Sequence, residues 1–577
     1  MDRRALALVL EEIGTLMELH GENPFRARAF YNAARAAEGV EGDVAALAVS
    51  GELAKVKGFG PATAEVAREL AATGESTLHR ELRSRTPDGL IELLGVPGLG
   101  ARRLHTLHTE LGIASAEDLE RAAAEDRIAA LPGFGKKTQA KLLEGVAFLR
   151  SVRGRRRAPE AWTVASWVVG LLEANAAVER AKAVGELRRR LETVDVIEVV
   201  AATRDADAVI REFLALPNVA HGERDGGACA RVRLADGVAV ALRCVEPEAY
   251  VAAVVHGTGS PGHWEGLVSR AASLGLRLDD RGLWRGTERV GVDDEAALYA
   301  ALELDVVAPE LREGAEALAA AEARALPRLV AYDDLRGCFH CHTTYSDGRA
   351  SVREMAEAAR ARGWRYLGIA DHSQAATYAG GLTPDAIARQ HDEIDAWNAE
   401  RGHELWIFKG IEADILPDGR LDYADAGEDI LARFDYVVGS VHSSFGLSEA
   451  EQTARVLRAM ENPHLTFLGH PTGRLLLSRQ GYRIDLDAVI DAAAERGVAI
   501  EINANPRRLD MDWRHWRRAR EKGVLTAINP DAHSTEGLDD VRWGVNVARK
   551  GWLTAGDVIN AWELDAVRRH LKEGRKR

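Results

Sequence analysis

Cysteine is scarce: Cys229, Cys244, Cys338 and Cys341 are the four in 577 residues. That excludes a small secreted fold held by a disulfide framework. No uninterrupted apolar run is long enough to span a bilayer. The opening Met1-Asp2-Arg3-Arg4 has no signal-peptide core, so a cytoplasmic protein with no membrane partner is expected. A global basic field is also missing. Net charge is −14; residues 1–157 hold 23 Lys/Arg against 22 Asp/Glu, and the remainder holds 52 against 67. A mildly acidic C-terminal part suits metal binding, and any DNA contact must come from local features. The length implies several domains.

What is present is concentrated near the C-terminus. Seven hydrophobic runs end in polar side chains: Cys338-Phe339-His340-Cys341-His342, Ile369-Ala370-Asp371-His372, Gly410-Ile411-Glu412, Gly439-Ser440-Val441-His442, Leu468-Gly469-His470, Ile500-Glu501-Ile502-Asn503 and Asn529-Pro530-Asp531-Ala532-His533. Helix-like segments ending in glycine separate most of them, as at 351–363, 486–497 and 513–523. Strand, helix, strand at this spacing predicts a parallel barrel, and such barrels gather functional groups at the C-terminal ends of their strands. A cup rich in His and carboxylate there points to a multi-metal hydrolase. Cys341 alternates against His340 and His342, so Cys338 and Cys341 read as packing rather than as a zinc site.

Residues 1–150 read as helices joined by glycine turns. Three turns resemble one another: Val56-Lys57-Gly58-Phe59-Gly60, Val96-Pro97-Gly98-Leu99-Gly100 and Leu131-Pro132-Gly133-Phe134-Gly135. An apolar-Gly-apolar-Gly turn between helices is the helix-hairpin-helix signature. Glycine permits positive φ and close approach of a ligand, and the next helix offers unpaired N–H groups to a phosphate oxygen. Such contacts ignore base sequence. Lys136 and Lys137 after the third turn, and Arg102 with Arg103 after the second, fit phosphate binding; Pro61 and Ala62 after the first fit less well. Ser151–Arg157 is a basic linker. Residues 160–250 mix helix with β-branched runs, and 251–315 are helical with a hairpin near 276–286.

These residues carry a resemblance. Gly21-Glu22-Asn23-Pro24-Phe25 with Ala29-Phe30-Tyr31-Asn32-Ala33-Ala34 resembles the start of bacterial family X DNA polymerases. Gly185-Glu186-Leu187-Arg188-Arg189-Arg190-Leu191-Glu192-Thr193 resembles that family's Gly-Ser-x-Arg-Arg-Gly-x-Glu-Thr nucleotide-binding segment. Thr258-Gly259-Ser260 resembles its Thr-Gly-Ser turn, Ala308–Glu313 the end of its thumb, and 334–577 its PHP (polymerase and histidinol phosphatase) domain. The implied fold is multidomain: an all-α helix-hairpin-helix region, an α+β nucleotidyltransferase-like palm and thumb, and a distorted (β/α)7 TIM-like PHP barrel. The implied boundaries are 1–85 (8-kDa-like), 86–157 (fingers-like), 158–250 (palm), 251–315 (thumb), 316–333 (linker) and 334–577 (PHP).

The resemblance implies nine metal ligands. His340, His342, Glu412 and Asp531 would hold one ion, Asp347, His372 and His533 a second, and Glu412 would bridge to a third with His442 and His470. Up to three divalent ions are expected, manganese first and zinc or iron next, since mixed His and carboxylate sets suit these metals. Arg474 and Arg508, just past strand ends, are candidates to clamp a phosphate. The polymerase positions depart from the pattern. The family's first metal-binding Asp aligns with Val196, the second with Glu198 and the third with Ala241, and its nucleotide-binding Ser aligns with Glu186, whose charge would repel a triphosphate. No lysine for Schiff-base chemistry follows the first hairpin. The expectation is therefore a DNA repair protein that binds gapped, nicked or 3′-ended DNA without sequence preference. Its PHP barrel would act as a 3′–5′ exonuclease or 3′-phosphoesterase, and its polymerase module would be silent. The alternatives are a gap-filling polymerase with a proofreading barrel, and a small-molecule phosphoesterase on a DNA-binding scaffold.

Overall fold

The computed structural model describes residues 2–40, 42–424 and 429–573. The chain forms two compact units, Met1–Arg153 and Gly154–Arg577. The expected division at 85 runs inside the first unit. Just ahead of the expected palm start at 158, Arg156–Arg157 pair as a short strand with Thr193–Val194.

The first unit is helical. Its Gly21–Phe25 motif is a helix start: Asn23 caps Pro24–Glu38 by accepting from the Phe25 amide at 2.9 Å, and Pro24 opens the helix where a missing N–H costs nothing. Apolar residues at helical spacing, such as Leu6, Leu10, Ile13 and Met17, fill the core with Phe30 and Leu104. The three glycine turns share one backbone bond. The amides of Phe59, Leu99 and Phe134 donate to the carbonyls of Val56, Val96 and Leu131 at 3.0, 3.0 and 3.1 Å. Gly58, Gly98 and Gly133 take φ of +108°, +80° and +82°, the left-handed region that favours glycine. Helices then begin at Pro61, Ala101 and Lys136.

In the second unit the palm is a five-stranded sheet. Its order is Val178–Ala183, Val196–Thr203, Ala239–Val245, Cys229–Leu234, Val219–Arg224. The pair Val196–Thr203 and Ala239–Val245 is parallel, and the others are antiparallel. The thumb follows, with helices Tyr250–Thr258 and Pro261–Ser273 and three short strands, Arg277–Asp279, Gly282–Arg285 and Glu288–Val290.

The barrel has seven parallel strands in sequence order: β1 (Gly337–Cys338), β2 (Tyr366–Ile369), β3 (Trp406–Asp414), β4 (Tyr436–Ser440), β5 (Leu465–Leu468), β6 (Ala499–Asn503) and β7 (Thr526–Asn529). A parallel bridge between Cys341 and Ala532 ties the first edge to the last, so the barrel is nearly closed. Helices such as Val352–Ala361 and Leu486–Arg496 separate the strands, each opened by a side-chain cap from Ser351 or Asp485. An aromatic stack fills the lower barrel. Phe339 lies 5.3 Å from Phe467 and 5.5 Å from both Tyr366 and Tyr436, ring centre to ring centre. The Tyr436 hydroxyl donates to the Phe339 or Ile369 carbonyl, at 2.5 and 3.1 Å. Glycine makes room for that ring, because a Cβ on Gly410 or Gly368 would collide with it. Cys338 and Cys341 are buried in the barrel wall, with sulfurs 3.4 Å apart.

Gly410→Ala tests this packing. Overfilling a close-packed interior costs about 1–3 kcal/mol, so the variant is expected to melt at lower temperature. An unchanged melting temperature would mean that Tyr436 does not need the space.

Candidate metal centre

Each polar group at the top of the barrel is placed by the strand that precedes it. His340 and His342 follow β1, and Asp347 stands on the loop beyond them. His372 follows β2, Glu412 lies in β3, His442 follows β4, His470 follows β5, and Asp531 and His533 follow β7. The fold brings all nine together. His340, His342 and Glu412 are buried, at 0 %, 0 % and 1 % exposure.

Glu412 is the hub. Its carboxylate oxygens lie 2.8 Å from His372 Nδ1, 2.9 Å from His470 Nε2, 3.2 Å from His442 Nε2, 3.4 Å from His340 Nε2 and 3.7 Å from His342 Nε2. Asp531 reaches His342 Nε2 at 3.2 Å and His340 Nε2 at 3.8 Å. Asp347 lies 3.4 Å from His533 Nε2 and 3.7 Å from His372 Nε2. Three groups offer donor atoms mutually within 4.8 Å: His342, Asp347, His372 and His533; His340, His342 and Glu412; His372, Glu412 and His442. This grouping differs from the expected partition: His342 joins the Asp347 group as well as the Glu412 group, His372 stands in the third group where His470 was expected, and Asp531 falls outside all three.

Several buried donor atoms here have no hydrogen-bond partner: His340 Nε2, His342 Nδ1 and His470 Nδ1, and also His372 Nδ1 and Glu412 Oε2, whose 2.8 Å approach lacks hydrogen-bond geometry. Buried polar atoms left this way are costly. Bound divalent ions would satisfy them, so the donor set fits the expected cofactor.

A supporting layer sits beneath, and sequence reasoning did not assign it a role. Glu501, fully buried in β6, lies 2.7 Å from His340 Nδ1 and accepts from Asn529 Nδ2 and Asn503 Nδ2 at 3.0 Å and from the His470 amide at 3.1 Å. Asp414 lies 2.7 Å from His442 Nδ1. Both carboxylates hold a proton on Nδ1 and turn Nε2 toward Glu412, so that Nε2 is the atom left to bind a metal once it is deprotonated. Asp371 accepts from the Thr343 amide at 2.7 Å, the Thr343 hydroxyl at 2.6 Å and Gln390 Nε2 at 2.6 Å, and so pins the start of the loop that carries Asp347. One signal was available in the sequence: Glu501 and Asn503, like Glu412 and Asp414, are two apart on a strand and share a face.

The electrostatics follow from burial and crowding. Burial holds His442 down, but Glu412 and Asp414 outweigh it and raise it to about 10. Asp347 and Asp531 raise His533, against burial, to about 9. Burial, with His533 and His372 beside it, brings His342 down to about 3. Burial pushes Asp347 up, yet His533, His342 and His372 bring it to about 2.

The two candidate clamps differ. Arg474 is corrected: its guanidinium is turned into the protein, 2.5 Å from Glu192 of the palm and 3.1 Å from Asp512, and it donates to the Arg508 carbonyl at 3.0 Å. Fixed by these partners, it has little capacity left for a phosphate. Arg508 lies at the rim, 3.6 Å from Asp531. Tyr378, 70 % exposed, stands over the cup with its ring 6.1 Å from that of His372 and 6.4 Å from that of His442.

On the palm, Glu198 pairs in register with Ala241, whose other neighbour is Arg231. Val196, Glu198 and Ala241 share a face by alternation, with one carboxylate among them. Glu186 is a second correction. It is not a bare repelling charge, because Arg155 meets it at 2.9 Å and the Asp195 amide donates to it at 3.2 Å. In the first hairpin the Gly60 amide is already bonded to the Thr63 hydroxyl at 2.9 Å, whereas Gly98, Gly100, Arg102, Gly133, Gly135, Lys136 and Lys137 are exposed.

Metal ligation requires neutral imidazoles. With pKa values raised to about 10 and about 9, His442 and His533 are protonated at pH 7 in the metal-free protein. Loading should therefore release protons, and affinity should fall as pH falls. Titrating metal-free protein with Mn²⁺ by calorimetry, in two buffers of different ionisation enthalpy, should give different heats. Equal heats would show that no proton leaves.

Comparison with known proteins agrees with this geometry. Models of helix-hairpin-helix domains match residues 1–76 and 90–146, the DNA polymerase beta thumb matches 253–313, and the PHP domain matches 339–505. The chain is 36% identical over 578 residues to the DNA polymerase/3′-5′ exonuclease PolX of Bacillus subtilis, covering 99% of this chain and 100% of that protein. A protein of Thermoanaerobacter named as a probable phosphatase is 27% identical over 250 residues, 41% of this chain and 95% of its own length. A second, from Caldanaerobacter subterraneus, is 30% identical over 187 residues, 30% of this chain and 67% of its own. With helix-hairpin-helix region, thumb and barrel in the same order, and a relative aligned from end to end, the chain belongs to the bacterial PolX family of DNA polymerases that carry a C-terminal PHP domain.

Proposed function

We propose that the barrel hydrolyses phosphoester bonds at DNA 3′ ends, as a 3′–5′ exonuclease or 3′-phosphoesterase, on DNA gripped without regard to sequence by the glycine hairpins, and that the palm no longer polymerises. The observation that carries the reading is the contrast between the two sites. Nine donors converge at the barrel top, while one carboxylate remains among the three palm positions. The name of the Bacillus relative supports the exonuclease.

The nine donors would hold up to three ions, manganese first with zinc or iron as alternatives; when bound, such ions lower the pKa of water and stabilise charge on phosphoryl oxygens. The chain's own residues do the rest. Glu501 and Asp414 set the tautomers of His340 and His442. Glu412 holds the histidine cluster in one place. Arg508 offers a cation at the rim for a phosphate oxygen, and Tyr378 presents an aromatic face on which a terminal base can stack. Asp371 fixes the Thr343 end of the Asp347 loop. The palm would then serve to position ends rather than extend them.

A second reading, a gap-filling polymerase with a proofreading barrel, is favoured by the first half of the same relative's name. A single experiment separates the two. On a 5′-labelled, 3′-recessed duplex with Mn²⁺ and all four dNTPs, the wild type should shorten the primer. His342→Ala/His372→Ala should leave it unchanged in length while binding DNA within about threefold of wild type, since the hairpin phosphate contacts that supply affinity are untouched. Primer extension by the double variant would establish the second reading. Hydrolysis of p-nitrophenyl phosphate far faster than of DNA ends would favour a small-molecule phosphatase.

The hairpin grip predicts steep salt dependence. Each phosphate contact contributes about −0.9 to the log–log slope of affinity against salt on duplex DNA. Replacing Lys136 and Lys137 together by alanine should make that slope shallower by up to about two, measured by fluorescence anisotropy. A slope equal to wild type would place both lysines outside the interface.

A further inference from the structure

The loop after β6 carries Arg508 to the rim of the cup, and its backbone is one that the loop resists when left alone. Asn503 and Asp510 close it with two backbone bonds. The Asn503 amide donates to the Asp510 carbonyl at 2.7 Å, and the Asp510 amide donates to the Asn503 carbonyl at 3.2 Å. Inside the loop, the Arg508 and Leu509 amides both donate to the Asn505 carbonyl, at 2.7 and 3.0 Å. Leu509 takes φ +43°, in the left-handed region that a bulky side chain disfavours. A residue in such a conformation persists only where its surroundings over-determine it, and such residues cluster at functional positions.

The group that over-determines it is Arg474, on the loop that leads from His470. Arg474 Nε donates to the Arg508 carbonyl at 3.0 Å, and Nη2 donates to the Leu509 carbonyl. One guanidinium therefore grips the backbone on both sides of the Leu509 Cα. Two carboxylates hold that guanidinium in turn: Asp512 accepts from Nη1 at 3.1 Å, and Glu192 of the palm accepts from Nη2 at 2.5 Å. The Glu192 and Arg474 side chains are 12 % and 14 % exposed, so water competes little for the pair. A planar guanidinium serves several acceptors in fixed directions, which a lysine ammonium does not. The two loops are joined again nearby, where the Thr472 amide and hydroxyl donate to the Asp510 carboxylate at 3.0 and 2.8 Å. The side chain that gains from this scaffold is Arg508, whose Nε stands 3.6 Å from Asp531.

We propose that Glu192 and Arg474 are a positioning pair for the barrel. The palm carboxylate orients Arg474, Arg474 fixes the backbone at Arg508 and Leu509, and Arg508 is thereby aimed at a phosphate entering the cup. Neither member of the pair touches substrate. What Arg508 is aimed at rests on the phosphoester-hydrolase reading above; the aiming itself does not. A residue of the segment that resembles the family's nucleotide-binding motif thus takes a part in chemistry at a different site.

Two variants of the full-length protein test the pair. Arg474→Lys keeps a positive charge beside Glu192 and loses the fork, and Glu192→Gln keeps the shape and loses the charge. The first measurement is amide hydrogen exchange in EDTA, so that no bound ion contributes. A peptide spanning residues 505–511 should exchange faster by about tenfold in Arg474→Lys, since the lost bonds are those that oppose local opening, and in the same sense in Glu192→Gln. The second is hydrolysis of a 3′-recessed duplex with Mn²⁺. There kcat/KM should fall by about tenfold or more in Arg474→Lys, the scale on which a displaced positioning group acts, with Mn²⁺ affinity unchanged by calorimetry. Arg474→Lys/Arg508→Ala should be no slower than Arg508→Ala alone, because the pair works through Arg508. Losses that multiply in this double variant would overturn the proposal by showing that Arg474 acts elsewhere. Wild-type exchange at 505–511 in both variants would overturn it whatever the activity. Faster exchange in the variants, with no hydrolysis of DNA ends by wild type, would uphold the pair and defeat the hydrolase reading instead.

Discussion

The Glu412 carboxylate lies within 3.7 Å of imidazole nitrogens from five histidines, which come from the ends of four strands, and it is 1 % exposed. A buried carboxylate without compensation is among the most expensive groups a fold can contain. Here the compensation is positive charge, supplied by protonated histidines in the metal-free protein and by ions when they are bound. The histidines depend on Glu412 in turn. Removing this one side chain would leave His372 and His470 each without the nearest carboxylate oxygen among those measured, and His442 with Asp414 alone. The strand ends are thus held in register by charge as much as by the aromatic stack beneath.

Much of this arrangement was legible in the sequence. Each barrel strand is a short apolar run with polar groups toward its end, so the strand count and the polar cup follow from spacing, whereas the set of nine ligands came from the family resemblance. The family pattern put Glu198 and Ala241 at two of the three palm ligand positions, and the parallel pair sets them side by side. Partnerships between residues far apart in the chain were not legible. Arg474 sits just past a strand end, the place expected for a phosphate ligand, yet it is drawn inward by Glu192, 282 residues away. Glu186 is neutralised by Arg155, 31 residues away. Glu501 gave too weak a signal because a carboxylate beneath a metal layer and one within it have the same local pattern. Three-dimensional neighbours separate these roles, and no periodicity encodes them.

The palm is wired to the barrel domain through buried charge. Besides Arg474 and Glu192, Lys550 is fully buried at its side chain and reaches Glu313 at 2.6 Å and the Arg189 carbonyl at 3.0 Å. Removing one member of a buried pair strands the other and is strongly destabilising. These contacts explain how a palm with few catalytic carboxylates remains a fixed part of the second unit: its charged residues support the neighbouring domain.

The aromatic stack around Tyr436 has a consequence for traffic. Phe339, Tyr366, Phe408, Tyr436 and Phe467 fill the barrel below the ligand layer, and the C-terminal helix Leu564–Glu573 packs against the same cluster. Among the described residues, this layer closes the lower end of the cup. A polymer end that entered the cup would therefore have to leave past Tyr378 and Arg508, by the route it came. On the hydrolase reading proposed above, such an end would be processed by repeated insertion and withdrawal of its tip.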